Sequence, residues 1–363
     1  MGGEETLKEY LIEKGIISEE EIEEEGLIKL SENIYGISTY EDLKYLSESV
    51  NKGEEYKGKT IYVLNDIDCK AEYNEETGEL ISGENFVPIG SSNTSIEKEI
   101  EGEGETKAFR GKLEGMGYKI ERIYIKKNEE GSYCTGLIGY LGEEGEVRDL
   151  SIEKSYIQGY YETGAIVGRN RGKIKNCTNE SKVIGDYYLT GGIAGRNTNT
   201  IENCTNRGDI YGGEAQTAGI VGNAGNASSS EYQSEILNCY NTGYIHGIGN
   251  MGGIASWGNG FKIVNCYNIG KLYCENEERG SKGGIICNIN EEANNQCINN
   301  YWLDTCGASY GINELSSNEG AESKTESELK GLASILSDKY TDDKNNINNG
   351  YPILKWQLEE NNN

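Results

Sequence analysis

The chain has 363 residues, 50 of them Gly and only 2 Pro, and 61 acidic against 34 basic side chains give it a net charge of −27. That balance excludes a nucleic-acid binder, which needs a basic face against phosphate, and it disfavours anionic membrane surfaces equally. No run of about 18 apolar residues occurs, so no direct membrane insertion is expected, and the first 30 residues lack the basic-then-apolar order of a signal peptide. Met1-Gly2-Gly3 followed at once by acidic helix-forming sequence reads as the edge of a trimmed chain, so localisation has to be read from other features.

From the N-terminus, residues 7–14 and 18–25 read as short acidic helices, the second opened by a capping box of Ser18 and Glu21. Residues 39–50 place Leu43, Leu46 and Val50 at helical spacing, and this amphipathic helix is expected to cover the open N-terminal end of the strand region downstream. Strand structure begins at residues 60–64, and 69–107 reads as an irregular polar excursion. The expected organisation is an acidic helical lead-in and cap over 1–58, a repeat region over 59–300, and a C-terminal cap over 301–363. The cap's one helix, at 327–339, would carry Leu329, Leu332 and Leu336 on one face and be joined by Pro352, Ile353, Leu354 and Trp356.

The repeat is explicit. Ile-x-Asn-Cys occurs at 174–177, 201–204, 236–239 and 263–266, with a degenerate copy at 147–150, so the spacing is 27 except for one interval of 35. The extra eight residues, 226–233, are polar and read as a loop leaving the repeat. A Gly-rich apolar step recurs at Ile166-Val167-Gly168, Ile193-Ala194-Gly195 and Ile220-Val221-Gly222, and a third apolar position follows each Cys by six residues, at Val183, Ile210, Ile245 and Leu272. Segments three to five residues long, rich in β-branched side chains and separated by Gly, Asn or Asp, cannot be helices. They predict an all-β chain: a three-sided, right-handed parallel β-helix with short helical caps, one coil per repeat.

Within such coils Asn176, Asn203, Asn238 and Asn265 stack at one corner, where a side-chain amide tolerates left-handed backbone and bonds the next coil. Cys177, Cys204, Cys239 and Cys266 occupy the position of Leu150 and read as a ladder of reduced core thiols. Metal binding is not expected, because neither C-x-x-C pairs nor neighbouring His occur and His246 is the one His in the chain. No cofactor is expected either. Of the remaining cysteines, Cys297 and Cys306 form the most plausible disulfide by proximity alone. Tyr is in excess, 26 against 3 Phe, and Tyr160-Tyr161 recurs 27 residues on as Tyr187-Tyr188, a stripe able to receive sugar rings or a partner protein.

The pattern GGIAGRN…IENCTNRGDIYG at 191–212 resembles the GLUG-motif repeats of bacterial surface and secreted proteins, repeats that also flank some immunoglobulin A peptidases. Residues 38–68 are similar to that family's usual lead-in and NNGYPILKWQ at 348–357 to its usual ending. The resemblance implies an extracellular or cell-surface β-solenoid, often adhesive, with a glycan or a host or cell-surface protein as partner and no family-wide catalytic residue. The alternative is a β-helix polysaccharide lyase or hydrolase. Asp66, Asp68, Asp149, Asp186 and Asp209 are its acidic candidates and Arg169, Arg171 and Arg196 its basic ones, but no repeated acid/base pair is visible.

Overall fold

The computed structural model describes residues 12–13, 22–23, 26–225, 234–278, 280–312 and 319–360. The chain is all-β, with parallel strands from successive coils stacked in register. One ladder runs through Tyr35, Ile61, Leu113, Val147, Ile174, Ile201, Ile236, Ile263 and Cys297, nine rungs. A second contains Ile125, Ile157, Val183, Ile210, Ile245 and Leu272, and a third Ile138, Val167, Ala194, Val221, Ala255 and Ile286. β-branched and aliphatic side chains stacked this way fill one contiguous buried core. The register is held by that core, since a slip of one residue would turn every inward side chain outward.

Each regular coil holds more strand than its three apolar segments announce. In the coil that starts at Thr200 the strands are Thr200–Glu202, Thr205–Asn206, Ile210–Gly212, Gln216–Ala218 and Val221–Gly225. The two additional ladders have polar rungs, so hydropathy does not reveal them. Thr163, Thr190 and Thr217 form one of them and are buried. They fit because Gly185 and Gly212 lie opposite, where a Cβ would collide with Thr190 or Thr217. Residues 226–233 lie outside the described residues, and the ladder resumes in register across that interval, Ile201 pairing with Ile236.

The ends differ from expectation. Residues 14–21 lie outside the described residues, as do 24–25, so the Ser18–Glu21 capping box does too; of the expected helix at 7–14 only 12 and 13 are described, and both are helical. Ile22–Glu23, assigned to the second helix, is instead a strand antiparallel to Ile28–Ser31, which is antiparallel to Ile34–Ile37. Ile34–Ile37 already pairs in parallel with Thr60–Val63, so the coils begin before residue 59. The antiparallel strands cover the first parallel edge, a role expected of helices. The helix Tyr40–Asn51 is capped by Thr39 and Asp42 and buries Leu43, Leu46 and Val50 in the solenoid core.

At the other end parallel pairing continues past residue 300, to Ala321–Lys324. The single expected helix is broken at Gly331-Leu332 into Glu326–Lys330 and Ala333–Leu336, and a further helix spans Trp356–Glu360. Nor does this segment sit on the end of the solenoid. It lies along its flank: Trp356 Nε1 donates to Asn203 O at 3.1 Å, and Asn348 Nδ2 donates to Tyr267 Oη at 2.8 Å. Leu329, Leu332, Leu336 and Leu354 close over Tyr240, Tyr267 and Tyr301, burying all three rings.

Candidate functional site

The corner built by the Ile-x-Asn-Cys motif is a hydrogen-bonded spine. Asn176, Asn203, Asn238 and Asn265 all have φ between 50° and 54°, the left-handed conformation that Asn tolerates. Each amide donates to the one before: Asn203 to Asn176 at 3.0 Å, Asn238 to Asn203 at 3.2 Å and Asn265 to Asn238 at 3.2 Å. Asp149 accepts from Asn176 at one end and Asn299 donates to Asn265 at the other. A second spine three residues on, Asn179, Asn206, Asn241 and Asn268, escaped the sequence reading although it also recurs at coil spacing. It donates in the opposite direction, at 2.7–2.8 Å.

Between the two spines lie Cys177, Cys204, Cys239 and Cys266, fully buried and free. Each thiol donates to the carbonyl two residues back at 3.3 Å. Sulfur also serves as acceptor: the Cys204 N–H points at Cys239 Sγ at 3.4 Å and the Cys239 N–H at Cys266 Sγ at 3.3 Å. In the following coil Asn300 Oδ1 takes the Cys266 N–H at 2.9 Å. Thus Cys fills space and answers a buried backbone donor at once. Burial pushes the Cys177, Cys204 and Cys239 thiols well above their ordinary range. The pairing of Cys297 with Cys306 is not made; both are free, Cys297 taking the Ile263 position in the next coil.

The tyrosine stripe is brought together by the coil spacing. Tyr160 stacks on Tyr187 at 5.2 Å, Tyr187 on Tyr188 at 6.0 Å, and Tyr161 meets Tyr160 edge-on at 4.9 Å. Tyr133, one repeat spacing of 27 residues before Tyr160, extends the stripe by stacking on Tyr161 at 4.5 Å. Tyr187 and Tyr188 are 36% and 38% exposed, and Tyr160 and Tyr161 are half-buried. A second aromatic group, Tyr211, Tyr244, His246 and Tyr273, gathers on neighbouring coils, with His246 Nε2 3.0 Å from Glu275.

The basic candidates are structural anchors. Arg169 is fully buried and donates to Glu162 at 2.7 Å, to Glu99 at 2.7 Å and to Thr94 O at 2.8 Å. Arg196 binds the other oxygen of Glu162 at 2.8 Å, and Arg171 binds Glu99 at 2.8 Å. Burial alone would raise the Glu162 carboxyl, but the two guanidinium groups hold it below the usual carboxylate range. Neither Glu162 nor Glu99 was singled out from sequence: a lone Glu at a coil position that elsewhere holds Leu or Gln is a weak signal. The aspartates are scattered. Asp68 pairs with Arg122, Asp149 accepts from Asn176, Asp186 from Gln158 and Asn128, and Asp209 from the Tyr244 N–H; Asp66 accepts from the Lys119 N–H. Among the described residues no three His, Cys, Asp or Glu side chains gather as a metal site would require, and no helix is long and apolar enough to cross a membrane.

Stacked parallel coils with asparagine spines and a buried core define a β-solenoid repeat protein. The chain carries the GLUG motif, matched over residues 186–211, the stretch that includes Asn203, Cys204 and the pair Tyr187-Tyr188. Its fold is similar to the crystal structure of a Bacteroides ovatus protein provisionally named an immunoglobulin A1 protease, with a TM-score of 0.57 over 89% of this chain and 92% of that one; at 18% identity the likeness is one of fold. Over 125 residues, 34% of this chain, the sequence is 26% identical to halomucin from Haloquadratum walsbyi. The chain spans about 1% of halomucin's length.

Proposed function

We propose that this chain is a non-catalytic, extracellular or cell-surface interaction module, secreted or displayed, that holds a glycan or a surface protein of another cell on its tyrosine stripe. The observation that carries the reading is the uncovered stack of Tyr160, Tyr161, Tyr187 and Tyr188, rigid rings presented on a stiff scaffold. Aromatic faces so held give contact area with little side-chain entropy to lose. Support comes from the GLUG motif, from aspartates individually engaged rather than converging as acid and base, and from arginines held in ion pairs with Glu162 and Glu99. A right-handed winding belongs to the same reading, since parallel strands joined by crossovers adopt that hand almost without exception.

A glycan and surface-protein array should return a binder for the wild type, and Tyr187→Ala with Tyr188→Ala should weaken it by about 1–3 kcal/mol without unfolding the protein. Unchanged affinity in the double variant would move the site elsewhere. Turnover of any polysaccharide by the purified chain would replace the reading with an enzymatic one.

A further inference from the structure

Beside the stripe lies a polar cleft of about 420 Å³, lined by Asn51, Ser91, Ser92, Asn93, Glu105, Lys107, Lys127, Ser132 and Tyr133. Its volume is within the range of ordinary small-molecule sites. The polar excursion at 69–107 supplies one wall, through the antiparallel pair Ser91–Ser92 and Thr106–Lys107, and the turn before Tyr133 supplies the other. Both walls are pinned from behind by the same buried guanidinium. Arg169 donates to Ser92 Oγ at 3.3 Å and lies over the Tyr133 ring at 5.9 Å. The cleft is therefore a preformed space, and Tyr133 is common to it and to the tyrosine stack.

Its lining is short of internal partners. Lys127 Nζ donates to Tyr133 O at 2.6 Å and makes no ion pair among the described residues, although the chain as a whole is rich in carboxylates. Two of its three donors are left for a guest. Burial lowers the Lys127 pKa from its ordinary value, and the nearby Arg169 guanidinium acts in the same direction. Across the cleft Lys107 pairs with Glu105 at 3.0 Å, and the Asn93 amide nitrogen, the Ser132 hydroxyl and the Tyr133 hydroxyl have no hydrogen-bond partner among the described residues.

We infer that the cleft is a subsite for an acidic sugar, its carboxylate against Lys127 and its hydroxyls against Asn93, Ser132 and Tyr133, with the rest of the oligosaccharide running over Tyr161, Tyr160, Tyr187 and Tyr188. This rests on the stripe being the ligand face. A neutral sugar would leave the Lys127 cation unanswered, and a flat protein surface could not enter a recess of this size. The net charge of −27 opposes anions at long range, so the preference must come from the local contact and not from steering.

The test is calorimetric binding of uronate-containing and sialylated oligosaccharides and of their carboxyl-reduced counterparts. Wild-type protein should bind an acidic member at least tenfold more tightly than its reduced form. Lys127→Met, with thermal unfolding checked, should erase that preference and Lys127→Arg should keep it. The double variant Y187A/Y188A should weaken acidic and reduced forms alike. Equal affinity for both forms in the wild type, binding of none of them, or a preference that survives in Lys127→Met overturns the assignment. Loss of the preference in Lys127→Met together with unchanged affinity in Y187A/Y188A would leave the cleft standing and remove the stripe.

Discussion

Two sets of tyrosines stack at coil spacing, and they have opposite fates. Tyr240 and Tyr267 lie 4.9 Å apart and nearly parallel, as Tyr160 and Tyr187 do at 5.2 Å. The first pair is fully buried under the C-terminal segment, its hydroxyls taken by Gln357 and Asn348. No part of the chain among the described residues covers Tyr187 and Tyr188 in that way, and a third or more of each is exposed. Stacking is thus a consequence of the repeat and says nothing by itself about ligand binding. What separates the sets is whether the chain brings its own cover. At the buried position the preceding coils carry Ser151, Thr178 and Thr205, and the change to Tyr240, Tyr267 and Tyr301 coincides with the Leu-rich C-terminal segment.

The contrast can be broken most sharply at the covered set. Tyr267→Ala removes a fully buried ring together with its bonds to Asn348 and Pro352, and it should cost about 3–5 kcal/mol in urea unfolding. A cost below 1 kcal/mol would mean that the segment does not pack there. Beneath the open set, Glu162→Gln leaves Arg169 and Arg196 facing each other without their shared carboxylate, and should destabilise by about 3–5 kcal/mol at neutral pH.

That effect carries a pH dependence of known sign. The Glu162 pKa is depressed in the fold, so its contribution is complete above the unfolded value of about 4.3 and is lost as pH falls through the lower folded one. The stability difference between wild type and Glu162→Gln should therefore shrink below about pH 4. A difference that stays constant down to pH 3 would show that the carboxylate is not ionised against the two arginines.

Between these extremes, Asn203→Ala loses a donor and an acceptor in the spine and places Ala at φ 54°, for a cost of roughly 2–3 kcal/mol. Asn203→Gly, which keeps the backbone, should cost less. Equal costs would show that the spine matters through its hydrogen bonds alone. The smallest effect belongs to the exposed rings: Tyr187→Ala with Tyr188→Ala should change stability by less than about 1 kcal/mol, measured alongside Tyr267→Ala.

The part of the fold that is legible in the sequence is the part governed by the 27-residue spacing. That spacing alone puts Ile174, Asn176 and Cys177 in the same registers as Ile201, Asn203 and Cys204, and the GLUG motif falls on the same stretch. Rungs without the spacing stayed hidden. Tyr35, Ile61 and Leu113 belong to the same ladder as Val147, but the helix Tyr40–Asn51 and the excursion at 69–107 interrupt the count, so the motif spacing reaches back only to Val147 in a ladder of nine rungs. The second asparagine spine, a polar ladder, carries no hydrophobic period. The flank position of the C-terminal segment depends on long-range contacts such as Trp356 with Asn203, which no local pattern encodes. At the candidate site the four repeated tyrosines were visible, whereas Lys127 and Glu162 occur once each, and the contacts of Arg169 with Ser92 and Thr94 exist only because the excursion folds back against the coils.

The division between covered and open tyrosines can be read directly by nitrating the folded protein and mapping the modified rings by mass spectrometry, with and without a saturating oligosaccharide from the binding array. Tyr187 and Tyr188 should react in the free protein and be protected when the oligosaccharide is bound, while Tyr240 and Tyr267 stay unmodified throughout. Reaction of Tyr240 or Tyr267 at the same rate as Tyr187, or no protection of Tyr187 and Tyr188 by a bound ligand, would contradict the account.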